Sequence, residues 1–263
     1  MSLQASKASY PVLIVNGCAG SGKSTACEML RSLVDPNKAS LISKPKSSEL
    51  RVVSEGNHVL AFDNISNISP NFSDAICKIS TGDNQTIRRL YTSNSPMTIS
   101  MKNPIILNGI PEIAKRADLV SRSVKISLRK IHERKTLESS WSEFNSDSKE
   151  IFESLLVGLS VSLMSYDNIK INDMTRMADF CKFSTASHLA YGWKEDDFMN
   201  AYHANIKSSH VDSLESSLFA SGIVKMFERE CNFEGRPIEL LEHLENKLYV
   251  SEKTIRSSKW VGT

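Results

Sequence analysis

Residues 17–24 carry the clearest chemical signal in the chain, because they read GCAGSGKS and match G-x-x-x-x-G-K-[S/T] at every fixed position. Glycines let the backbone curl so that its N–H groups surround phosphate oxygens. Lys23 would neutralise the β- and γ-phosphates of a nucleoside triphosphate, and Ser24 would ligate Mg²⁺. A chance glycine-rich turn is the alternative. The predicted nucleotide-binding residues are Gly17, Cys18, Ala19, Gly20, Ser21, Gly22, Lys23, Ser24 and Thr25.

Two elements must position this loop. An apolar run at residues 12–15 has the character of a buried strand and precedes the loop, and a run with helical character follows it at residues 24–33. A helix that begins at the loop would direct the positive end of its dipole at the phosphates. The order of strand, loop and helix favours a phosphate-binding loop over a chance turn.

Two later apolar runs, at residues 59–62 and 104–107, are each followed by a polar residue, Asp63 and Asn108. Buried parallel strands present such residues at their carboxyl ends, where ligands bind. Asp63 would hold Mg²⁺ opposite Ser24, directly or through water, and Asn108 would sense the γ-phosphate. The alternatives are an aspartate that caps the next segment and a simple Asn-Gly turn.

Asn64 follows Asp63, at a position where many ATPases have a glutamate that polarises the attacking water. An amide can orient water, but it cannot accept the proton of that water. Either another carboxylate is the catalytic base, or hydrolysis is slow.

A positively charged hairpin is predicted between the second and third strands of the sheet. Two β-prone runs, at residues 86–91 and 97–101, flank the turn-rich segment 92–96. Cations on such a hairpin could contact a nucleic-acid backbone, and an aromatic ring could stack on a base. A surface hairpin with solvated charges is the alternative. The candidate DNA-binding residues are Arg88, Arg89, Tyr91 and Lys102.

Arg116 and Arg122 lie just before another predicted strand, at residues 124–128. An arginine in this place could reach the γ-phosphate bound by a neighbouring subunit and stabilise the charge of the transition state. Taken singly, each arginine is better explained as an ordinary surface charge.

The composition sets wider limits. The net charge of the 263-residue chain is only +2, so any nucleic-acid contact depends on local patches. The five cysteines are scattered without metal-binding spacing, which indicates reduced thiols and predicts a cytoplasmic protein. No apolar stretch approaches the ~18 residues of a membrane span, and residues 1–11 lack the apolar core of a secretion signal.

The ordered motifs resemble the superfamily 3 helicase branch of the AAA+ ATPases, and more closely the ATPase portions of phage, plasmid and prophage primase-helicase proteins. The matching pieces are GCAGSGKST, VLAFDN, STGDNQTIRRLYT, PIILNGI and RADLVSRSVKISL, which span about half of the chain, from residue 11 to residue 128. The resemblance implies an α/β P-loop NTPase fold, with a parallel-sheet core and an α-helical C-terminal region.

The resemblance also implies roles. The loop residues would bind ATP and Mg²⁺, Asp63 would be the Walker B acid, and Asn108 would be sensor 1. Arg122 would be the arginine finger, with Arg116 as the second choice, and a ring of subunits, usually a hexamer, would complete each active site. Arg88 and Arg89 would lie near the DNA-facing hairpin of the central pore. The family usually has two acidic residues in succession at Asp63 and the next position, but here the second residue is Asn64.

The C-terminal half has helical periodicity from residue 147 onward, after a basic run at residues 129–135 that would face solvent or a channel. Residues 234–249 resemble the first helix of a winged-helix DNA-binding segment. We therefore predict an ATPase core at residues 1–135, a helical region at 136–230 and a partial winged-helix-like segment at 231–263.

These patterns predict an ATP-dependent DNA helicase or translocase in the replication of a mobile genetic element, with DNA and a separate primase or replication protein as partners. One alternative is an ATP-binding switch or helicase loader with weak hydrolysis, as Asn64 would allow. A second alternative is a P-loop kinase, for which the basic run at residues 129–135 is the candidate lid. The chain could be a nearly isolated motor module or a fragment.

Overall fold

The computed structural model describes residues 8–88, 96–109, 116–171, 173, 175–215, 218–229 and 232–248. At residues 84–88, 96–99, 215, 218, 229 and 245–248 the backbone is described without the side chains. The described chain forms two compact units, Met1–Lys207 and Ser208–Thr263. The predicted boundaries at residues 135 and 230 stay predictions.

The first unit contains a five-stranded sheet and the helices that cover it. In chain order its elements up to the last strand are β1 (Val12–Gly17), α1 (Lys23–Val34), β2 (Ile42–Ser43), α2 (Leu50–Glu55), β3 (Leu60–Ile65), α3 (Pro70–Thr81), β4 (Asp83–Arg88), β5 (Pro96–Met101), β6 (Ile105–Gly109), α4 (Ala117–Val120) and β7 (Ser123–Leu128).

The remaining secondary-structure elements of the described chain are helices. They are α5 (Leu137–Ser165), a 3₁₀ turn (Tyr166–Asn168), α6 (Ala178–Ala186), α7 (His188–Tyr191), α8 (Asp197–Glu215), α9 (Leu218–Arg229) and α10 (Pro237–Leu248). None of the helices in the described ranges combines the length and the hydropathy that a membrane span requires.

The sheet is parallel and its strand order is β2-β3-β6-β1-β7. The strands β1, β3 and β6 are almost wholly apolar until their last residues, because helices cover both faces of the sheet. Val12 and Ile14 pack on one face, and Leu13 and Val15 pack with Cys27 of α1 on the other. This architecture confirms the predicted α/β fold with a parallel-sheet core.

The strand order has a direct consequence for chemistry. Strand β6 lies between β1 and β3, so the carboxyl ends of these three strands are neighbours on one edge of the sheet. The loop after β1, Asp63 of β3 and Asn108 of β6 are thereby brought together at that edge.

The predicted hairpin is confirmed in the backbone. Strands β4 and β5 pair antiparallel from Asp83 opposite Met101 to Arg88 opposite Pro96. The first strand begins at Asp83, three residues before the predicted start at residue 86.

Helix α5 begins before the apolar periodicity that marks the helical region in the sequence. Helix α5 starts at Leu137 rather than at residue 147, because the Thr136 hydroxyl accepts a hydrogen bond from the Ser139 N–H at 3.1 Å and caps the helix. The first ten residues of α5 are mostly polar, so apolar periodicity gave no signal there.

Arg31 anchors α1 to the loops beneath it. Its side chain is only 1% exposed, and its guanidinium donates to the carbonyl oxygens of Ala39 and Ser40 at 2.8 Å each and to Asn57 Oδ1 at 2.7 Å. It also pairs with Asp35, one helical turn along, at 3.3 Å. A buried charge with this many partners fixes the position of α1, and with it the start of the helix at the loop.

Replacing Arg31 with alanine is expected to lower the free energy of unfolding by about 3–5 kcal/mol, because its buried partners would lose their donors. Arg51→Ala is the matched control, since Arg51 forms a looser pair with Glu55 at 3.8 Å, also one turn along its helix, and is partly exposed. Arg51→Ala should lower the free energy of unfolding by only about 0.5 kcal/mol. Urea denaturation measures both, and equal losses would contradict the anchoring role.

Candidate nucleotide-binding site

The loop between β1 and α1 has the shape that a phosphate-binding loop requires. Gly20 and Gly22 both have a φ of 75°, in the left-handed region that favours glycine. At Gly17 a Cβ atom would lie 2.9 Å from the backbone oxygen of Leu128, so the loop passes too close to β7 for any side chain. The three glycines of the sequence motif are therefore explained by backbone shape and close approach.

The N-terminus of α1 is open to an anion. In α1, which the structure describes in full, the first turn contains no acidic residue, and the N-cap position is Gly22, which has no side chain to cap the helix. The first N–H groups of a helix have no partners within it, so here they are available to phosphate oxygens.

Lys23 is the first residue of α1, and its side chain folds back along the loop. Its Nζ donates to the carbonyl oxygens of Gly17 and Cys18, at 2.9 Å each. This geometry holds the ammonium group over the loop, where a bound phosphate chain would lie.

Ser24, Asp63 and Asn108 form a compact hydrogen-bonded cluster next to the loop. Ser24 Oγ donates to Asp63 Oδ1 at 3.1 Å, and Asn108 Nδ2 donates to the same oxygen at 2.6 Å and to Ser24 Oγ at 3.1 Å. The three residues predicted separately from sequence thus meet at the carboxyl edge of the sheet.

An irregularity in β3 aims Asp63 at this cluster. Phe62 pairs with Leu107 and Ile65 pairs with Gly109, so two residues of β3, Asp63 and Asn64, lie opposite one residue of β6. A bulge of this kind redirects side chains near a functional site. Asn64 has a φ of 52°, a left-handed conformation that asparagine adopts more readily than most residues, and its N–H donates to Asp63 Oδ1 at 2.8 Å.

The cluster contains the right atoms for Mg²⁺. Ser24 Oγ and Asp63 Oδ1 are hard oxygen ligands, and Asn108 Oδ1 is buried and has no hydrogen-bond partner among the described residues. The described residues include no group of three or more His, Cys, Asp or Glu side chains placed to hold a metal. One carboxylate and one hydroxyl fit a magnesium ion that also binds substrate phosphates.

Cys27 lies in α1 beneath the site and has no place in the chemistry. Its side chain is almost wholly buried, and burial is the main reason that the pKa of its thiol rises to about 12, with Asp63 and Glu28 adding to the effect. The thiol therefore stays protonated and unreactive.

The two candidate finger arginines differ in their surroundings. Arg122 is 14% exposed, pairs with Asp118 and donates to the Asp118 carbonyl oxygen at 3.1 Å. Asp118 also pairs with Arg176 at 3.0 Å, and the hydrogen bond from Arg122 is the main cause that lowers the pKa of the Asp118 carboxyl. Arg116 is 45% exposed and pairs with Asp74 at 2.9 Å.

The predicted DNA-binding residues are described only in part. Arg88 ends β4, without a described side chain, and Arg89 and Tyr91 lie outside the described residues. Lys102 follows β5, and its Nζ lies over the ring of Tyr10, 5.5 Å from the ring centroid. Desolvation is the main cause that lowers the pKa of Lys102.

Comparison with known proteins identifies the family. Residues 3–212 match the family described as actinomycete integrative conjugative element replication protein, and this range is well over half of the chain. The chain belongs to this family. It is thus a replication protein of a mobile element. The phosphate-binding loop, Asp63 and Asn108 all lie within the matched residues 3–212.

One solved structure, described as "SCCmec type IV Cch - active helicase", is similar to the present chain, with 11% sequence identity and a TM-score of 0.49. The similarity covers 97% of this chain and 59% of that chain, so this chain spans less than two thirds of that protein's length. No curated protein matches the chain.

The backbone at Asn64 leads to a stability prediction. Asn64→Val should lower the free energy of unfolding by about 1–2 kcal/mol, because a β-branched residue is disfavoured at a φ of 52°. Asn64→Gly is the matched control and should be nearly neutral, since glycine adopts this conformation freely. Urea denaturation compares the two variants, and equal stability would show that the left-handed backbone imposes no requirement at this position.

Proposed function

We propose that this protein is an ATP-dependent motor that acts on DNA during replication of the mobile element. The observation that carries the proposal is the contact of Ser24, Asp63 and Asn108 beside the phosphate-binding loop. Membership in a replication-protein family supports DNA as the substrate of the motor. The finer assignment, a superfamily 3-type helicase of the AAA+ class, extends the motif resemblance and is part of the proposal.

Each residue of the cluster has a defined task in ATP hydrolysis. The N–H groups of the loop and of the first turn of α1 bind the phosphates, and Lys23 moves from the carbonyls of Gly17 and Cys18 to the β- and γ-phosphate oxygens. Ser24 and Asp63 would hold Mg²⁺, which would supply positive charge to the phosphates when it is bound. Asn108 donates a hydrogen bond toward the γ-phosphate or the attacking water.

No residue is assigned as the catalytic base in this mechanism. Asn64 is exposed beside Asp63, and its amide orients water without accepting a proton. This observation favours a second candidate function, an ATP-binding switch or helicase loader in which binding is strong and turnover weak. Family membership supports either replication role over the P-loop kinase suggested by the loop alone.

A neighbouring subunit completes the site in our proposal, within a ring that we take to be hexameric. A finger arginine must extend from the surface of its own subunit to the phosphates of the next. Arg116 meets this requirement better than Arg122, because it is 45% rather than 14% exposed and its ion-pair partner among the described residues, Asp74, is itself half exposed. The hairpin residues Arg88, Arg89 and Tyr91 are proposed to contact DNA.

The proposal predicts ATP turnover that rises with single-stranded DNA and falls by at least about 100-fold in Lys23→Ala, because the variant loses a cation from the transition state. Lys38→Ala removes the same charge from an exposed position and should leave ATP turnover unchanged. Steady-state phosphate release measures both variants. Arg116→Ala should lower turnover but leave the affinity for ATP unchanged.

The outcomes separate the two functions. Turnover that depends on Lys23 and rises with DNA supports the motor. Tight ATP binding that depends on Lys23, with negligible turnover, supports the switch or loader. Failure to bind ATP would contradict both.

A further inference from the structure

A small pocket lies at the amino edge of the sheet, away from the phosphate-binding loop, and has a volume of about 250 Å³. Strand β7 begins just after the pocket and ends at Leu128, whose backbone oxygen lies beside Gly17 of the loop. The two places are therefore separated by the length of β7, about 20 Å for its six residues at ~3.3 Å each. The residues that line the pocket include Ser121, Thr175, Arg176, Tyr202, His203 and Lys207.

Asn205 holds α8 against the sheet and thereby positions this pocket. Strand β7 is at the edge of the sheet, and Asn205 pairs with the backbone of its residue Lys125. Asn205 Oδ1 accepts a hydrogen bond from the Lys125 N–H at 3.0 Å, and Nδ2 donates to the Lys125 carbonyl oxygen at 2.6 Å. His203 and Lys207 lie on either side of Asn205 and are one helical turn apart, so they share one face of α8.

The pocket carries positive charge. Arg176 and Lys207 are cations, and no carboxylate is among the described residues that line the pocket. Lys207 is exposed and makes no hydrogen bond or ion pair with any residue that the structure describes. His203 has only a loose contact with Asp173, whose side chain is 84% exposed and lies 3.7 Å away. A concave surface of this kind favours an anion.

Arg176 is fixed in place but retains donors for a ligand. Its Nη1 lies 3.0 Å from Asp118 Oδ1 and donates to Ser121 Oγ at 3.3 Å. Both contacts use the same nitrogen, so Nη2 and Nε have no partner in the described part of the chain. These N–H groups form a planar fork that matches two oxygens of a phosphate. Asp118 also pairs with Arg122, so two cations balance its charge.

A buried hydroxyl distinguishes this pocket from an ordinary charged surface. Tyr202 is only 3% exposed, and its hydroxyl oxygen lacks a hydrogen bond of normal geometry among the described residues. Burial is the main reason that the pKa of Tyr202 rises to about 12; Cys181 adds to the rise, and the Thr175 hydroxyl, which contacts Cys181 Sγ at 3.2 Å, opposes it. The hydroxyl therefore stays protonated and can donate. A buried donor without a partner needs an explanation, and a ligand in the pocket supplies one.

We propose that this pocket binds a phosphate group, either inorganic phosphate or the terminal phosphate of a polynucleotide. Arg176, Lys207 and the Tyr202 hydroxyl donate to its oxygens. A volume of about 250 Å³ holds a phosphate with a few waters, at ~30 Å³ for each water. A phosphate within a polynucleotide chain bears a nucleoside on each side and would not reach the buried hydroxyl, whereas a terminal phosphate would.

The test uses the Lys23→Ala protein as its background, because the phosphate-binding loop then lacks the lysine that would hold a phosphate. Isothermal titration calorimetry with inorganic phosphate measures the affinity. Adding Lys207→Ala should weaken phosphate by about 10-fold or more, because a charge-assisted contact is lost. Lys194→Ala is the matched control, since it removes the same charge from an exposed residue shortly before α8 that does not line the pocket. It should change the affinity by less than about 2-fold.

Tyr202→Phe separates binding of a ligand from a structural role. The substitution removes a buried hydroxyl that lacks a hydrogen bond of normal geometry, so the midpoint of thermal unfolding should stay unchanged or rise. The affinity for phosphate should nevertheless fall, by about 10-fold. A lower midpoint with unchanged affinity would contradict the proposal, because the hydroxyl would then serve the fold and not the ligand.

Two sources of the phosphate group are distinguished with single-stranded oligonucleotides that carry a 5′-phosphate, a 3′-phosphate or neither. Fluorescence anisotropy of an internal label measures their affinities. A preference for a phosphorylated end that Lys207→Ala removes would identify the end of a polynucleotide as the ligand. Binding of inorganic phosphate without this preference would identify the small anion. Either result supports a phosphate site in the pocket.

The proposal is contradicted if Lys207→Ala and Tyr202→Phe match Lys194→Ala with inorganic phosphate and with every oligonucleotide. That result would leave the proposed function intact, because ATP binding to the unmodified protein and its dependence on Lys23 test the loop separately. Conversely, loss of the motor proposal would not affect the pocket, which shares no residue with the cluster of Ser24, Asp63 and Asn108.

Discussion

The hydrogen bonds among Ser24, Asp63 and Asn108 are the constraint on which the site depends, because they join three segments that are 39 to 84 residues apart in the chain. They form only if β6 lies between β1 and β3 and if all three strands end at the same edge. The apolar strands and the helices on both faces are what impose that order. Packing of the core thus determines where the polar residues meet.

Much of this arrangement was predictable from sequence, for a physical reason. The glycines, the lysine and the serine of the loop have fixed spacing, and apolar runs that end in Asp63 and Asn108 mark buried parallel strands whose carboxyl ends converge. The resemblance of the ordered motifs then led to a mobile-element replication protein, which the family match confirms. Superfamily 3 membership, the ring and the DNA contacts remain predictions.

Other features depend on contacts that no local pattern reveals. The enclosure of Arg122 depends on Asp118, which Arg176 also contacts from a distant part of the chain. The left-handed backbone of Asn64 depends on the register between β3 and β6. Asn64 stands where many ATPases have a glutamate, and this position lies in the bulge that also directs Asp63 toward the cluster. The position of Arg134 against Gly20 depends on the path of the chain after β7. The sequence of a basic run does not indicate which of its side chains lies against the loop.

We propose that Ser24 and Asp63 hold Mg²⁺ on a bound nucleotide, and the most direct test is to measure ATP affinity with Mg²⁺ and with a chelator. Mg²⁺ is expected to tighten ATP binding to the wild-type protein, and Asp63→Asn is expected to remove this gain. Asp74→Asn, which alters an exposed carboxylate paired with Arg116, should preserve the gain. An undiminished effect of Mg²⁺ in Asp63→Asn would show that Asp63 does not hold the ion.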